Sequence, residues 1–297
     1  MARPAQGPLV LFVHGTGLNG RVWDPVAEAL NSAGVGALAL DLRGHGRSGR
    51  SPDARYSWDR FAADVLAAVH QLGLAGREVA GAGHSAGATA LLEAEALEPG
   101  TFATLWLWEP IMGGAGQKPF PGAGAGQEPF PGAGAGREPH WRRGADLAER
   151  ARHRRSHFAS IAEARAHFAG RGIFSEFSPA ALEGFLAGGL VAVAQPVGGV
   201  RLACQPEDEA RIYEAGDEHD ARAQLGRVRC PARVLGGSGS PAVRADELSA
   251  IAAALPAGNW VVEAGLGHFG PFQAPQLVAA DLTRWLAGLP SDGAPSP

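Results

Sequence analysis

The sequence contains few of the residues from which several common kinds of site are built. It has two cysteines, Cys204 and Cys230, and one lysine, Lys118. Two cysteines do not form a disulfide framework, which favours a reducing compartment, although one bridge stays open as an alternative. No cluster of histidine, cysteine and aspartate has metal-ligand spacing, and no glycine-rich loop has a phosphate-binding pattern. We therefore expect no metal and no other cofactor.

An excess of positive charge and long apolar runs are also absent. The formal net charge is -4 and the pI is about 6.2, so charge does not point to nucleic acid or an anionic membrane as a partner. The first eight residues show no basic stretch followed by an apolar one, and no apolar run reaches membrane-spanning length. These features predict a soluble, cytoplasmic protein. They leave its oligomeric state open.

Short apolar runs do occur, and they alternate with helical patterns of apolar residues. Continuous apolar runs of four to eight residues are typical of strands buried on both faces of a parallel sheet. Alternation of such strands with helices predicts an α/β fold, with helices on both faces of the sheet. The predicted strands lie at Leu9–Val13, 35–40, 78–82, Thr104–Trp108, 232–235 and 260–263.

Two segments interrupt this alternation. Residues 113–140 repeat Gln-Lys-Pro-Phe-Pro as Gln-Glu-Pro-Phe-Pro between Gly-Ala spacers, and we expect a disordered, duplicated surface loop in preference to a Pro-rich docking site. Residues 141–227 carry short helical patterns with capping signals such as Ser178 before a proline, which predict a helical cap. The core would then consist of residues 1–112 and 228–290, followed by a tail over 291–297.

The stretch 81–87, Gly-Ala-Gly-His-Ser-Ala-Gly, lies between a strand pattern and a helical pattern. Gly83, Ser85 and Gly87 form a G-x-S-x-G motif, which lets a strand turn sharply into a helix with the central serine facing open space. Side chains two residues before and after the serine would collide, so glycine is needed at both places. The amide of Ala86 would lie at a helix N-terminus, where it can donate to an oxyanion.

Three further motifs follow other predicted strands. A His-Gly pair at His14 follows the first strand, Asp-x-Arg-Gly-His-Gly-x-Ser from Asp41 follows the second, and Gly-His-Phe around His268 follows the last. With the serine motif, these resemble the α/β-hydrolase fold superfamily, in particular bacterial serine hydrolases with a helical cap, over essentially the whole chain outside 113–139. Only eight residues precede Leu9, so the two strands that normally come first are expected to be missing. The sheet should then have about six strands, all parallel.

The resemblance implies a role for each motif. Ser85 would be the nucleophile, and His268 would be the base that takes its proton. The backbone amides of Thr16 and Ala86 would form the oxyanion hole. Residues expected to anchor turns and loops are His14, Asp41, Arg43 and His45.

The acidic member of the triad departs from the common pattern. The superfamily usually carries an aspartate in a turn after the penultimate strand, and this sequence has Ser240 at that position. Some branches, haloalkane dehalogenases among them, carry the acid after the preceding strand, which in this chain ends in Glu109. An acidic residue at that position lies on the rim where parallel sheets bind ligands. Glu109 is therefore the predicted acid, and Asp246, just beyond the usual turn, is the alternative.

A serine at the elbow, where epoxide hydrolases and dehalogenases have aspartate, indicates acyl transfer. The predicted function is hydrolysis of a small carboxylic ester through an acyl-enzyme on Ser85. Hydrolysis of C–C bonds or lactones, cofactor-free perhydrolase activity, and a non-catalytic binding or regulatory role remain alternatives. His84, Trp108 and Phe269 are the predicted substrate-binding residues, and the wider set of aromatic candidates adds Trp106, Phe168 and Phe174.

Overall fold

The structure is a computed structural model. It describes residues 8–75, 77–113, 140–216 and 218–288, with the backbone alone for 140–143. The predicted low-complexity loop, apart from its first and last residues, and the tail over 291–297 lie outside the described residues.

Strands and helices alternate along the described chain, as the sequence predicts. Within these ranges, each helix is too short or too polar to cross a membrane. The elements are, in chain order, β1 (Leu9–Val13), α1 (Asp24–Ser32), β2 (Gly36–Leu40), α2 (Trp58–Gln71), β3 (Val79–His84), α3 (Ala86–Leu97), β4 (Thr104–Trp108), α4 (His140–Arg152), β5 (His157–Phe158), α5 (Ile161–Phe168), α6 (Pro179–Gly189), β6 (Leu190–Ala192), β7 (Val200–Leu202), α7 (Pro206–Ala215), α8 (Ala221–Gln224), β8 (Ala232–Gly237), α9 (Ala245–Ala254), β9 (Gly258–Glu263), α10 (Gly270–Gln273) and α11 (Pro275–Ala287).

Six strands form one parallel sheet in the order β2-β1-β3-β4-β8-β9. Successive side chains of β4 point to opposite faces, because the side-chain period of a strand is two residues. Leu105 and Leu107 pack with residues of α2, α3 and α9, whereas Trp106 and Trp108 pack with residues of α1 and α11. The sheet is therefore buried between two helical layers, which confirms the predicted α/β fold.

The two outer strands are less buried than the sequence predicts. The segment 35–40 is predicted as a strand buried on both faces, but in β2 the side chain of Leu38 is 37% exposed. At the opposite edge, Trp260 of β9 is 43% exposed. Every residue of the central strands β3 and β4 is buried. The difference arises because the two helical layers cover the middle of the sheet more fully than its edges.

Residues 140–227, called the insertion below, lie between β4 and β8. Their helices agree with the predicted pattern, and Ser178 Oγ accepts a hydrogen bond from the amide of Ala181 (3.3 Å) as a helix cap does. The insertion also contains an antiparallel sheet in the order β5-β7-β6, which is not predicted from the sequence. These strands have two or three residues each, too few for a period of two to be recognised.

The insertion packs directly on the loop that follows β1. Helix α6 lies so close to the turn at Gly20–Trp23 that a Cβ atom on Gly184 would collide with the carbonyl oxygen of Arg21. The side-chain amide of Asn19 donates a hydrogen bond to the carbonyl oxygen of Phe185 (2.9 Å). These contacts hold the insertion over the carboxyl edge of the sheet, where open parallel sheets bind their ligands.

Candidate active site

The loop between β3 and α3 forms a strained elbow at Ser85. Its backbone has φ 55° and ψ -122°, a conformation that costs about 1–3 kcal/mol and is concentrated at functional sites. The amide of Ser85 donates to the carbonyl oxygen of Trp108 (2.9 Å), which ties the elbow to β4. A Cβ atom on Gly83 would lie 2.6 Å from Ala88 Cα, and one on Gly87 would collide with the carbonyl oxygens of Val13 and His14. Glycine is therefore required on both sides of the serine, as predicted.

The hydroxyl of Ser85 is not used to cap the helix that it precedes. A serine before a helix usually accepts a hydrogen bond from the second or third helical amide, but Ser85 makes no such bond within the described chain. Ala86 is the first residue of α3, so its N–H group has no acceptor inside the helix. Among the described residues, the Ser85 hydroxyl and the adjacent amide of Ala86 thus have no hydrogen-bond partner.

The loop after β1 lies against the elbow. A Cβ atom on Gly15 would come within 3.1 Å of Ser85 Cβ and 2.7 Å of His84 Nδ1, so only glycine allows this approach. The next amide, that of Thr16, makes no hydrogen bond to any residue that the structure describes. The structure therefore brings both predicted oxyanion donors, Thr16 and Ala86, to the neighbourhood of Ser85.

Two buried histidines anchor this loop. His45 Nε2 accepts from the amide of Gly17 (3.0 Å), and its Nδ1 lies 3.0 Å from the carbonyl oxygen of Arg43. His14 Nε2 accepts from the amide of Leu42 (3.1 Å). Burial lowers the pKa of both imidazoles, that of His45 to about 3. Both rings are thus neutral, with the proton on Nδ1, and they hold loops in place, as the sequence predicts.

Glu109, the residue after β4, is fully buried and has an unusual positive φ of 46°. Its Oε1 accepts from the amide of Gly237 (2.9 Å), and its Oε2 accepts from Ser240 Oγ (2.6 Å). His268 Nδ1 lies 2.7 Å from the same Oε2 atom. Three donors converge on this side chain, which suits a carboxylate anion because such a group only accepts hydrogen bonds.

The alternative acid, Asp246, and the residue at the usual acid position, Ser240, have different partners. Asp246 accepts both of its short side-chain hydrogen bonds from Arg244 (2.8 and 2.6 Å). Ser240, which occupies the position where the superfamily usually has aspartate, donates to Glu109. The structure therefore places Glu109, and not Asp246, beside His268.

His268 lies in the loop between β9 and α10, and its side chain is 15% exposed. Because Nδ1 donates to Glu109, the unprotonated nitrogen is Nε2, the atom that can accept a proton. The loop is braced by a hydrogen bond from the amide of Gly267 to Gln273 Oε1 (2.8 Å). An oriented imidazole with a free Nε2 atom is what a general base requires.

The three predicted substrate-binding residues differ in their exposure. His84 and Trp108 are 1% and 0% exposed, which corrects their predicted place on a pocket wall. Trp108 is covered by Gly270, where a Cβ atom would collide with the indole ring. Phe269 is half-buried, and its ring centroid lies 5.6 Å from that of Phe177 in the insertion. Of the three, Phe269 is the residue with surface available to a ligand.

An ion pair of the insertion lies against the loop after β1, and it is not predicted from the sequence. Glu209 of α7 is 3% exposed, and its Oε2 accepts from Arg154 Nη1 (2.6 Å). Gly17 has φ 76°, and a Cβ atom there would collide with Glu209 Oε1. Burial raises the pKa of Glu209, and the Arg154 guanidinium partly opposes this shift. In the sequence, the local feature that fits this contact is Gly17, since a larger residue there would exclude Glu209.

The described residues contain no group of three or more histidine, cysteine, aspartate or glutamate side chains placed to hold a metal ion. What they contain is a strained serine, two free amides beside it, and a histidine oriented by a buried carboxylate. This set of groups suits nucleophilic attack on a carbonyl carbon.

A comparison with protein families agrees with the fold and with the motifs found in the sequence. The model of the Alpha/beta hydrolase family matches residues 10–281. This chain belongs to that family. The family and the fold predicted from the sequence motifs are therefore confirmed.

Several curated proteins are similar to this chain over a short stretch of sequence. The non-heme chloroperoxidase CPO-A1 of Kitasatospora aureofaciens is 40% identical over 82 residues, which are 28% of this chain and 29% of that protein. The bifunctional esterase/perhydrolase DCH of Acinetobacter calcoaceticus is 37% identical over 84 residues, again 28% of this chain and 29% of that protein. The matched part of the chain thus spans less than a third of either relative.

Solved structures match over nearly the whole chain. The E-2-(acetamidomethylene)succinate hydrolase aligns with a TM-score of 0.74 at 23% identity and covers 95% of this chain and 92% of its own. A thermophilic esterase from Thermogutta terrifontis aligns with a TM-score of 0.66 at 22% identity, covering 96% and 91%. At these identities the likeness shows a common fold.

Proposed function

We propose that this protein is a serine hydrolase that cleaves a small carboxylic ester through an acyl-enzyme on Ser85. Family membership supports hydrolase chemistry in general. The observation that carries the serine mechanism is the 2.7 Å contact between His268 Nδ1 and Glu109 Oε2. It orients an imidazole in the loop next to the strained elbow, and it leaves Nε2 as the proton acceptor.

In the acylation step, Ser85 Oγ attacks the ester carbonyl carbon while its proton passes to His268 Nε2. The carbonyl oxygen becomes an oxyanion that accepts hydrogen bonds from the amides of Thr16 and Ala86. Collapse of this intermediate breaks the bond to the alcohol, which leaves with the proton from His268. The products of the step are a free alcohol and acyl-Ser85.

In the deacylation step, water attacks the acyl carbon and gives a proton to His268. The second oxyanion occupies the same two amides, and its collapse releases a carboxylic acid while Ser85 Oγ regains the proton. Glu109 stays ionised through both steps and stabilises the imidazolium that forms twice in each turnover. Its complete burial strengthens this interaction, because the effective dielectric constant is lower inside the protein than in water.

We also propose that the insertion acts as a cap on the core formed by residues 1–112 and 228–290. Its support is the packing of α6 on the turn at Gly20–Trp23 and the contact of Glu209 with Gly17. Phe177 of the insertion and Phe269 of the core would then border the substrate, because their rings meet beside His268. Such a site takes a small molecule and requires no cofactor for ester hydrolysis.

A second candidate is perhydrolysis of the same acyl-enzyme, favoured by the match to the esterase/perhydrolase of Acinetobacter calcoaceticus. Hydrogen peroxide would replace water in deacylation: one peroxide oxygen attacks the acyl carbon, His268 takes its proton, and a peracid leaves as Ser85 is restored. Incubation of the protein with an acetate ester and hydrogen peroxide tests this. Peracid formation that depends on Ser85 is expected, and carboxylic acid as the only product would reject this second candidate.

Labelling with a fluorophosphonate probe tests the main proposal. Wild type should become labelled, and Ser85→Ala should not, because the probe forms a bond with an activated serine oxygen. The matched control is Ser32→Ala, since Ser32 Oγ donates to a carbonyl oxygen on the exposed side of α1 and should label like wild type. A well-folded wild type without Ser85-dependent labelling would favour the non-catalytic binding role.

A further inference from the structure

His84, the residue between the first motif glycine and Ser85, contacts the loop of the predicted base. Its Nε2 lies 3.0 Å from the carbonyl oxygen of His268, a residue 184 positions later in the chain. A carbonyl oxygen only accepts hydrogen bonds, so His84 Nε2 carries the proton and donates it. This bond joins the backbone of His268 to the side chain adjacent to the nucleophile.

The rest of the His84 ring is enclosed. Its ring centroid lies 4.7 Å from that of His268, 5.6 Å from that of Phe269 and 5.1 Å from that of Phe272. The Nδ1 atom, which faces Gly15, has no hydrogen-bond partner among the described residues. A buried polar atom without a partner is costly, so the position is not explained by side-chain stability alone.

We propose that His84 is a positioning residue that joins the nucleophile elbow to the base loop through its Nε2–H bond to His268. The inference rests on the proposed serine mechanism and deepens it. Glu109 holds the ring of His268 by its Nδ1 atom, and His84 holds the backbone of the same residue. With both ends held, the imidazole of His268 keeps one orientation, as the proposed mechanism requires of its base.

The neutral state of His84 suits this position. Burial lowers its pKa well below the usual value, and the neighbouring His268 lowers it further. When His268 becomes an imidazolium during turnover, the adjacent ring therefore adds no second positive charge. An arginine or lysine could also donate to the carbonyl oxygen, but it would place a permanent cation beside the imidazolium.

Three variants separate the hydrogen bond from the volume of the ring. His84→Leu fills a similar space without a donor, whereas His84→Gln retains an amide donor of similar reach. His70→Leu is the control for loss of a histidine, because His70 is exposed on α2 and bonds to Glu98. Thermal unfolding identifies variants that fold; should His84→Leu not fold, His84→Asn, whose amide is too short to reach the carbonyl oxygen, takes its place.

Crystal structures of the variants test the positioning whether or not the protein hydrolyses esters. In His84→Leu we expect the His268 imidazole to move by about 1 Å or more, a displacement large enough to impair catalysis. In His84→Gln the contact of His268 with Glu109 should stay as in wild type. An unmoved imidazole in the leucine variant, or equal movement in both, would overturn the inference.

The rate of fluorophosphonate labelling measures the consequence. His84→Leu should label Ser85 about 10- to 100-fold more slowly than wild type, with His84→Gln within about threefold and His70→Leu unchanged. Equal rates in the leucine and glutamine variants would contradict the role of the donor. Absence of labelling in wild type would instead reject the serine mechanism, and the crystal structures would still decide whether His84 positions His268.

Discussion

Two pairs of histidines at the carboxyl edge of the sheet show what separates a structural imidazole from a catalytic candidate. His14 and His45, in the loops after β1 and β2, direct all four ring nitrogens at backbone groups. In the second pair, His84 also bonds to a backbone carbonyl, but His268 contacts the carboxylate of Glu109. Of the four, His268 is the one with an acidic side-chain partner and an open nitrogen.

The difference follows from burial and from the type of partner. Water is excluded from His14, His45 and His84, which are at most 1% exposed, so each stays neutral in a fixed tautomer. His268 keeps 15% of its side chain exposed and contacts the carboxylate of Glu109, the arrangement that the proposed general base requires. Histidines that each follow a strand thus differ in burial and in the type of group that they contact.

The largest expected effect comes from removal of the one histidine of the four that contacts a carboxylate. His268→Gln should lower kcat/KM for an activated ester by about a million-fold, because the nucleophile loses its base. His70→Gln, on the exposed surface of α2, should stay within about twofold of wild type. Steady-state kinetics of both proteins gives the comparison, and substantial activity in His268→Gln would point to another base.

The second largest expected effect comes from Glu109, the carboxylate that His268 contacts. Glu109→Gln should lower kcat by about 10⁴-fold, since an amide cannot stabilise the imidazolium and can favour the wrong tautomer. Ser240→Ala removes a donor to the same oxygen but leaves the carboxylate, so a loss of less than about tenfold is expected. The opposite ranking would move the acid role from Glu109 to the turn after β8.

The smallest expected effect is on stability, and it comes from His45 of the first pair. The pKa of His45 is about 3 in the folded chain and about 6.5 in an unfolded one. Between these values the unfolded state binds a proton that the folded state does not, so stability decreases as the pH falls from about 6.5 to about 3.

Urea unfolding at several pH values measures this dependence. The free energy of unfolding of wild type should fall with pH more steeply than that of His45→Gln, by up to about 1.4 kcal/mol per pH unit. His70→Gln is the control and should follow the slope of wild type. Equal slopes in wild type and His45→Gln would show that folding does not lower the pKa of His45.

Local patterns in the sequence identify much of this arrangement. The sharp turn at Ser85 requires glycine two residues before and two residues after the serine. The elbow can therefore be recognised from a motif of seven residues. The position of Glu109 also follows from a local feature, because an acidic residue directly after a buried parallel strand must lie at the carboxyl edge. Residues whose surroundings are set within one loop are thus predictable.

Contacts between distant segments are not visible in this way. Ser240 and Glu109 are separated by 131 residues, and no local pattern indicates that a hydroxyl will donate to that carboxylate. The contact of Glu209 with Gly17 depends on how α7 lies over the core. The burial of Trp108 is a similar case, since the covering residue, Gly270, belongs to a loop after another strand.

The meeting of Ser240 and Glu109 has a consequence for how such enzymes diverge. Ser240 Oγ donates to Glu109 Oε2, the oxygen that His268 Nδ1 also contacts, so the end of β4 and the turn after β8 offer neighbouring attachment points for one negative charge. A lineage could gain a second carboxylate by Ser240→Asp and later lose that of Glu109. In the intermediate, either carboxylate could accept the hydrogen bond from His268. Selection would then act on the distance between the carboxylate and the histidine. The strand after which the carboxylate lies could differ between lineages.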